Sequence, residues 1–215
     1  MKSNKLIILL LMLLCCSINA NAAMNTVRMV MDEQGMVINA NRDTLPRDCP
    51  KVSSDVDLVI HAGQKYARKF NGKMYAYDQQ QWDVPACSRI NLTFINDDDI
   101  RHQLMLHGLP GYIYPKGMFT IELNGKGRRQ ASLIVPARSK TYLIHCEVPQ
   151  HMEKGMKAQL KVAGGDGDLS SIPGLTEPVT AELYPVAWNR GTWGLLFAAI
   201  LVGFGLSYYL MRLLK

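Results

Sequence analysis

Residues 142–156 read Tyr142-Leu143-Ile144-His145-Cys146-Glu147-Val148-Pro149-Gln150-His151-Met152-Glu153-Lys154-Gly155-Met156. An apolar β-type run ends at Cys146. Pro149, which cannot donate to a strand ladder, marks the loop that follows. A second β-type run begins at Met156 and extends to residue 162. Cysteine, histidine and methionine therefore recur as C-x4-H-x4-M at one end of a strand pair. This spacing puts a thiol, an imidazole and a thioether at the rim of a β-scaffold.

Outward from this loop the same grammar repeats. Short β-rich runs are expected over residues 57–61, 73–77, 89–95, 102–107, 118–123 and 131–135, besides 141–146 and 156–162. Asn71-Gly72 and Asn124-Gly125 are the strongest local hairpin-type turns. Runs of this length and spacing predict an all-β domain, an antiparallel Greek-key sandwich or barrel. No internal repeat is visible. Residues 24–54 read as an N-terminal extension, 55–163 as the folded domain, and 164–191, rich in Gly, Ser and Pro, as a flexible linker.

The ends of the chain address it to a membrane. Residues 1–23 carry Lys2 and Lys5, an apolar run and the small-residue stretch Ala20-Asn21-Ala22-Ala23, which together read as a secretory signal peptide. Residues 192–211 contain no charge, and about 20 apolar residues span a bilayer core of about 30 Å. Trp193, Tyr208 and Tyr209 suit the interfaces, with Arg212 and Lys215, in the tail 212–215, on the cytoplasmic side. The expected location is therefore the cytoplasmic membrane, single-pass, with the domain on the periplasmic side. The formal charge of +6 owes four units to Lys2, Lys5, Arg212 and Lys215, and the other 20 basic residues nearly balance 18 acidic ones. That balance leaves no nucleic-acid footprint.

Exported cysteines meet an oxidising compartment. Cys49 and Cys87 both lie beside prolines in loop contexts, so a Cys49–Cys87 disulfide is the economical expectation. Cys146 is then a free thiol in need of a purpose. His102, at the start of the run 102–107, adds a second imidazole to the Cys-His-Met loop. One thiolate, two imidazoles and a weak axial thioether form the donor set of a blue-copper site.

At these residues the sequence resembles the cupredoxins, and most closely the type 1 copper domains of multicopper oxidases and copper nitrite reductases. His145-Cys146-x4-His151-Met152-Glu153-Lys154-Gly155-Met156 is similar to the C-terminal oxidase motif. His102-Gln103-Leu104-Met105-Leu106-His107-Gly108 is similar to the oxidase H-x-x-H-x-H-G strand. The resemblance implies that His102, Cys146, His151 and Met156 are the type 1 copper ligands. It also places His107 and His145 where oxidases and nitrite reductases hold a second copper, with His61 of a neighbouring subunit as a candidate third ligand in a homo-oligomer.

The departures narrow the function. Glu147 stands where the oxidases have a histidine after the cysteine, and Met105 replaces the middle histidine of the other motif. The chain has only five histidines, too few for the oxidases' histidine-rich trinuclear cluster besides a type 1 site. The expectation is a membrane-anchored one-electron carrier whose partner is a redox protein, a cytochrome or copper enzyme, at the membrane surface. The alternatives are an oligomeric oxidase or reductase with type 2 copper at His107 and His145, or a copper-delivery protein.

Other features bear on these alternatives. Met24, Met29, Met31 and Met36 are soft donors for cuprous copper, although gap filling is the commoner use of methionine. Lys126-Gly127-Arg128-Arg129 reads as a solvated hairpin tip, with docking of an acidic partner as the functional alternative. Asp97-Asp98-Asp99 reads as a turn. Leu109-Pro110-Gly111-Tyr112 with Met152 is the expected apolar rim over the metal.

Overall fold

The computed structural model describes residues 26–179 and 190–213 of the chain. Its strands are β1 (Met29–Asp32), β2 (Gly35–Ile38), β3 (Asp55–Gly63), β4 (Ala76–Tyr77), β5 (Gln81–Val84), β6 (Arg89–Asn96), β7 (His102–His107), β8 (Met118–Leu123), β9 (Gly127–Ile134), β10 (Lys140–His145) and β11 (Lys157–Val162). Two helices join them, the one-turn α1 (Gln64–Ala67) and the long α2 (Arg190–Leu213). The strands form a seven-stranded sheet, β1-β2-β8-β7-β10-β11-β5, and a four-stranded sheet, β4-β3-β6-β9. This is a cupredoxin-like sandwich.

Period-two alternation builds the core. In β6, Ile90, Leu92 and Phe94 point inward while Arg89, Asn91 and Thr93 point toward solvent. Leu104 and Leu106 of β7, Phe119 and Ile121 of β8, Leu133 of β9, Ile144 of β10 and Leu160 of β11 fill the same interior. Truncating a ring such as Phe94 in a core of this kind costs about 3–5 kcal/mol.

Two strand pairs are parallel, against the antiparallel expectation: β3 with β6, from Asp55↔Arg89 to Ala62↔Asn96, and β5 with β11. Alternation reports which face a residue takes and is blind to strand direction. The chain between β3 and β6 crosses through α1, β4 and β5, an excursion that returns it parallel. Neither Asn-Gly pair closes a hairpin. Gly72 adopts φ 71° in the turn between α1 and β4, and Asn124-Gly125 lies where the chain leaves β8 in one sheet for β9 in the other. The expected basic tip is also revised, because Arg128 and Arg129 lie within β9, opposite Ile95 and Phe94.

The domain is larger than residues 55–163. β2 pairs with β8 from Gly35↔Leu123 to Ile38↔Thr120, so the supposed extension supplies an edge of the larger sheet. Residues 164–179 do not form a free linker either. The Asp166 carboxylate accepts the Thr141 N–H (2.8 Å), Gln159 donates to Asp168 (2.7 Å), and Ile172 is fully buried. The chain divides into two compact units at Val179 and Thr180. The second contains α2, whose span Gly191–Leu213 is long and apolar enough to cross a membrane. Residues 1–23, Met24 and Lys215 lie outside the described residues. The Cys49–Cys87 disulfide is present, with Cα atoms 5.6 Å apart, and ties the segment before β3 to the start of β6.

Candidate metal centre

β10 runs beside β7 in antiparallel register, Ile144↔Leu106 and His145↔Met105. Cys146, one residue past β10, therefore emerges beside His102 at the opening of β7. The loop returns on itself: the His151 N–H donates to the Val148 carbonyl, the Met156 N–H to the His151 carbonyl (2.9 Å), and the Cys146 N–H to the Met156 carbonyl (3.2 Å). Gly155 makes that return possible at φ 110°, where a Cβ would sit 2.8 Å from the Lys73 side chain. These bonds set His151 and Met156 around Cys146. His102, Cys146 and Met156 have no exposed surface and His151 has 7%.

Donor atoms of three of these residues converge. His102 Nδ1 lies 3.2 Å from His151 Nδ1, and Cys146 Sγ lies 3.5 Å from the same nitrogen. Burial pushes the Cys146 thiol up to about 11. Burial first, then the neighbouring His102, hold His151 down to about 4, and burial lowers His102 as well. Both imidazoles are thus kept neutral, with lone pairs available, and the thiol keeps its proton near neutral pH. A neutral-nitrogen and sulfur set of this kind suits a soft or borderline metal and not magnesium or calcium.

Two residues that the sequence reading missed complete the pocket. Asp98 Oδ2 is 2.7 Å from His102 Nε2 and also accepts the Gln64 N–H at 2.8 Å. The carboxylate holds the ring's proton on Nε2 and turns the Nδ1 lone pair toward Cys146, the usual arrangement behind a metal-bound imidazole. Tyr75 stacks on His151 with ring centroids 4.1 Å apart and meets His102 edge-on at 5.5 Å. It sits there because the expected strand 73–77 is mostly a strap: the N–H groups of Met74 and Tyr75 both donate to the Lys154 carbonyl in the loop between Cys146 and Met156. The spacing of Asp98 four residues before His102 is a signal that was present in the sequence. Tyr75 had none.

Tyr75 occupies the place expected of the apolar rim. Leu109 and Tyr112 follow the far end of β7, about 20 Å along the strand from His102 at about 3.3 Å per residue. Leu109 is buried there, and Tyr112 lies under the Arg47 guanidinium. Met152 is half-buried on the ligand loop.

His107 and His145 meet on the outer face of the larger sheet. Their rings stack at 4.9 Å, His107 Nε2 is 3.6 Å from Glu147 Oε1, and one donor atom from each of the three residues lies within 4.8 Å of the others. His145 is 6% exposed, and its buried Nδ1 has no hydrogen-bond partner. His61 lies elsewhere, its Nδ1 3.0 Å from Asp97, which also accepts from Tyr66 and pairs with Lys65. With Asp98 behind His102 and Asp99 paired to Lys126, all three acids of the expected turn are engaged.

The profile of one family, described as multicopper oxidase, matches residues 50–166, just over half of the chain. Among solved structures, the chain is similar to auracyanin A, a "blue" copper protein from Chloroflexus aurantiacus, at 21% identity over 50% of this chain and 98% of that one, with a TM-score of 0.38. It is also similar to an auracyanin from Roseiflexus castenholzii, at 21% identity over 52% and 98%, with a TM-score of 0.38. A multi-copper oxidase from Pseudomonas thermotolerans matches at 13% identity over 54% of this chain and 31% of that one, with a TM-score of 0.39. No curated protein matches the sequence.

Proposed function

The chain belongs to the multicopper oxidase family, and from that premise we propose that it is a membrane-anchored, periplasmic type 1 copper protein that passes single electrons. The observation that carries this reading is the buried convergence of His102, Cys146 and His151, with Met156 bonded into the same loop. Copper bound there supplies a one-electron Cu(I)/Cu(II) couple. Cys146 would hold the metal as a thiolate, since coordination would remove the proton that burial otherwise retains. His102, oriented by Asp98, and Met156 would complete the donor set, and His151 beneath Tyr75 would be the electron port. Burial keeps bulk water from these donors. α2 is the anchor, residues 1–23 the export signal, and the partner a cytochrome or copper enzyme at the membrane surface. In copper-loaded protein, Cys146→Ser is expected to abolish intense visible absorption while the β-fold remains. Undiminished colour sinks the assignment.

The unpartnered Nδ1 of His145, close to His107 and Glu147, favours one second reading: an oxidase or reductase, oligomeric where a neighbouring subunit completes the site, with type 2 copper there. Electron paramagnetic resonance separates the two. The carrier gives one Cu(II) signal per chain, unchanged in His107→Ala and His145→Ala. A second signal lost in both variants replaces the carrier with the enzyme.

A further inference from the structure

The β1–β2 hairpin carries two methionines that pack into no gap and a third, Met36, that is half-buried. Met31 is 71% exposed and Met29 53%, so neither does what a buried methionine does for a core. Their placement is ordered. Met31 lies directly opposite Met36, and Met29 directly opposite Ile38. Met29, Met31 and Met36 therefore share one face of the ribbon, while Val30 and its partner Val37 take the other. Directly opposed residues have Cβ atoms about 4.5–5.5 Å apart and diagonal ones about 7–8 Å, within reach of three long flexible side chains meeting at one point.

The frame beneath them is fixed. Asp32 accepts the N–H groups of Gln34 and Gly35 and pairs with Arg129 of β9. Asn124 bonds the turn at Glu33 and Gln34. At Gly35, φ 150°, a Cβ would lie 2.0 Å from the Glu122 carbonyl oxygen, so this residue lets β2 close onto β8. At the other end the Asn39 N–H donates to the Arg28 carbonyl, and its side chain donates to the carbonyls of Pro115 and Met118.

Two occupants suit this ribbon: another strand at the free edge of β1, or a soft cation on the methionine face. β1 is poorly made for strand addition, being four residues long and bounded by Arg28 and Asp32, which is how native edges avoid pairing. Three neutral thioethers, by contrast, match a monovalent soft ion and offer nothing to magnesium, calcium or zinc. We propose that Met29, Met31 and Met36 form a surface binding site for cuprous ion, separate from the buried cysteine centre. It goes beyond the electron-transfer reading and does not depend on it, since none of its donors belongs to that pocket.

Silver(I), a redox-inert soft cation, is the probe. Full-length protein in detergent carrying Cys146→Ser, which removes the thiolate as a competing sink, is titrated with silver nitrate while the methyl signals of carbon-13-labelled methionine are followed. The signals of Met29, Met31 and Met36 are expected to shift first and together. In the same background, Met29→Leu, Met31→Leu and Met36→Leu combined should lower bound silver by one equivalent per chain. Leucine nearly conserves volume, and the triple replacement in a chain that keeps Cys146 should retain the copper-thiolate absorption, which reports the fold and the other centre independently. Met31→Leu alone, at the most exposed position, should weaken silver binding without touching the core. Unchanged silver stoichiometry in the triple variant, unchanged affinity in Met31→Leu, or first shifts at Met105, Met118 or Met156 would overturn the site.

Discussion

At the scale of the residue, the chemistry of the pocket was legible where it depends on donor type and spacing, and illegible where it acts through space. Cys146, His151 and Met156 lie within one stretch, so their recurrence can be read along the chain. Tyr75 could not be read that way, and Asp98 left only its spacing of four residues before His102. Asp98 reaches His102 past the end of β3, where Gly63 leaves room for the carboxylate: a Cβ there would lie 3.2 Å from Asp98 Oδ1. Asp98→Ala removes the acceptor that fixes the His102 proton on Nε2 and frees the ring to turn. Copper affinity is expected to fall about 10- to 100-fold, the usual cost of losing a carboxylate behind a metal-bound histidine. Asp98→Asn keeps the side chain's size and one acceptor oxygen, so its loss should be smaller. Competition titration with a cuprous chelator measures both, and equal affinity in Asp98→Ala and the parent would remove Asp98 from the site.

At the scale of the element, alternation identified strands with one clean buried face, such as β6, and failed where burial is uneven. In β1 all four residues are exposed, in β2 only Met36 has appreciable exposure, and β5 is polar at alternate positions because it caps the edge beside β11. β1 and β2 lack the period-two contrast that marks a strand from sequence alone, and the alternation of β5 covers only four residues. The segment before β3 has almost no regular structure, so its position depends on the Cys49–Cys87 bond and a few polar contacts, among them Asp48 accepting the Ala137 N–H at 2.9 Å. With a separation of 38 residues, closing that loop contributes about 3–4 kcal/mol by restricting the unfolded chain. Cys49→Ala with Cys87→Ala should lower the unfolding free energy by about that amount in chemical denaturation. The copper-thiolate spectrum should be retained, because the disulfide lies on elements distant from the ligand loop. A loss of colour in the folded double variant would show that the bond also shapes the pocket.

At the scale of the whole molecule, the composition separated body from tail correctly but misplaced the boundary. Gly164, Gly165 and Gly167 have the composition of a tether, yet here glycine serves close packing: a Cβ on Gly165 would lie 2.4 Å from Thr141 Oγ1. Beyond it Asp166 holds the Thr141 N–H, Asp168 pairs with Lys161, and Ile172 is buried. The polar, glycine-rich stretch is therefore the last layer of the sandwich, lying over β10 and β11, the two strands that flank the Cys146–Met156 loop. Chains ended after Val179 and after Ala163 should consequently differ. The first retains every one of these contacts and is expected to be released from the membrane fraction as a soluble protein with the parent's copper-thiolate spectrum. The second loses one buried aliphatic side chain and several hydrogen bonds, at a cost of about 2–5 kcal/mol. It should unfold at distinctly lower denaturant, with its ligand loop loosened first, because β10 and β11 carry Cys146 and Met156 at their ends. Denaturation curves and copper retention for the two chains decide it: equal stability would return residues 164–179 to the role of a tether.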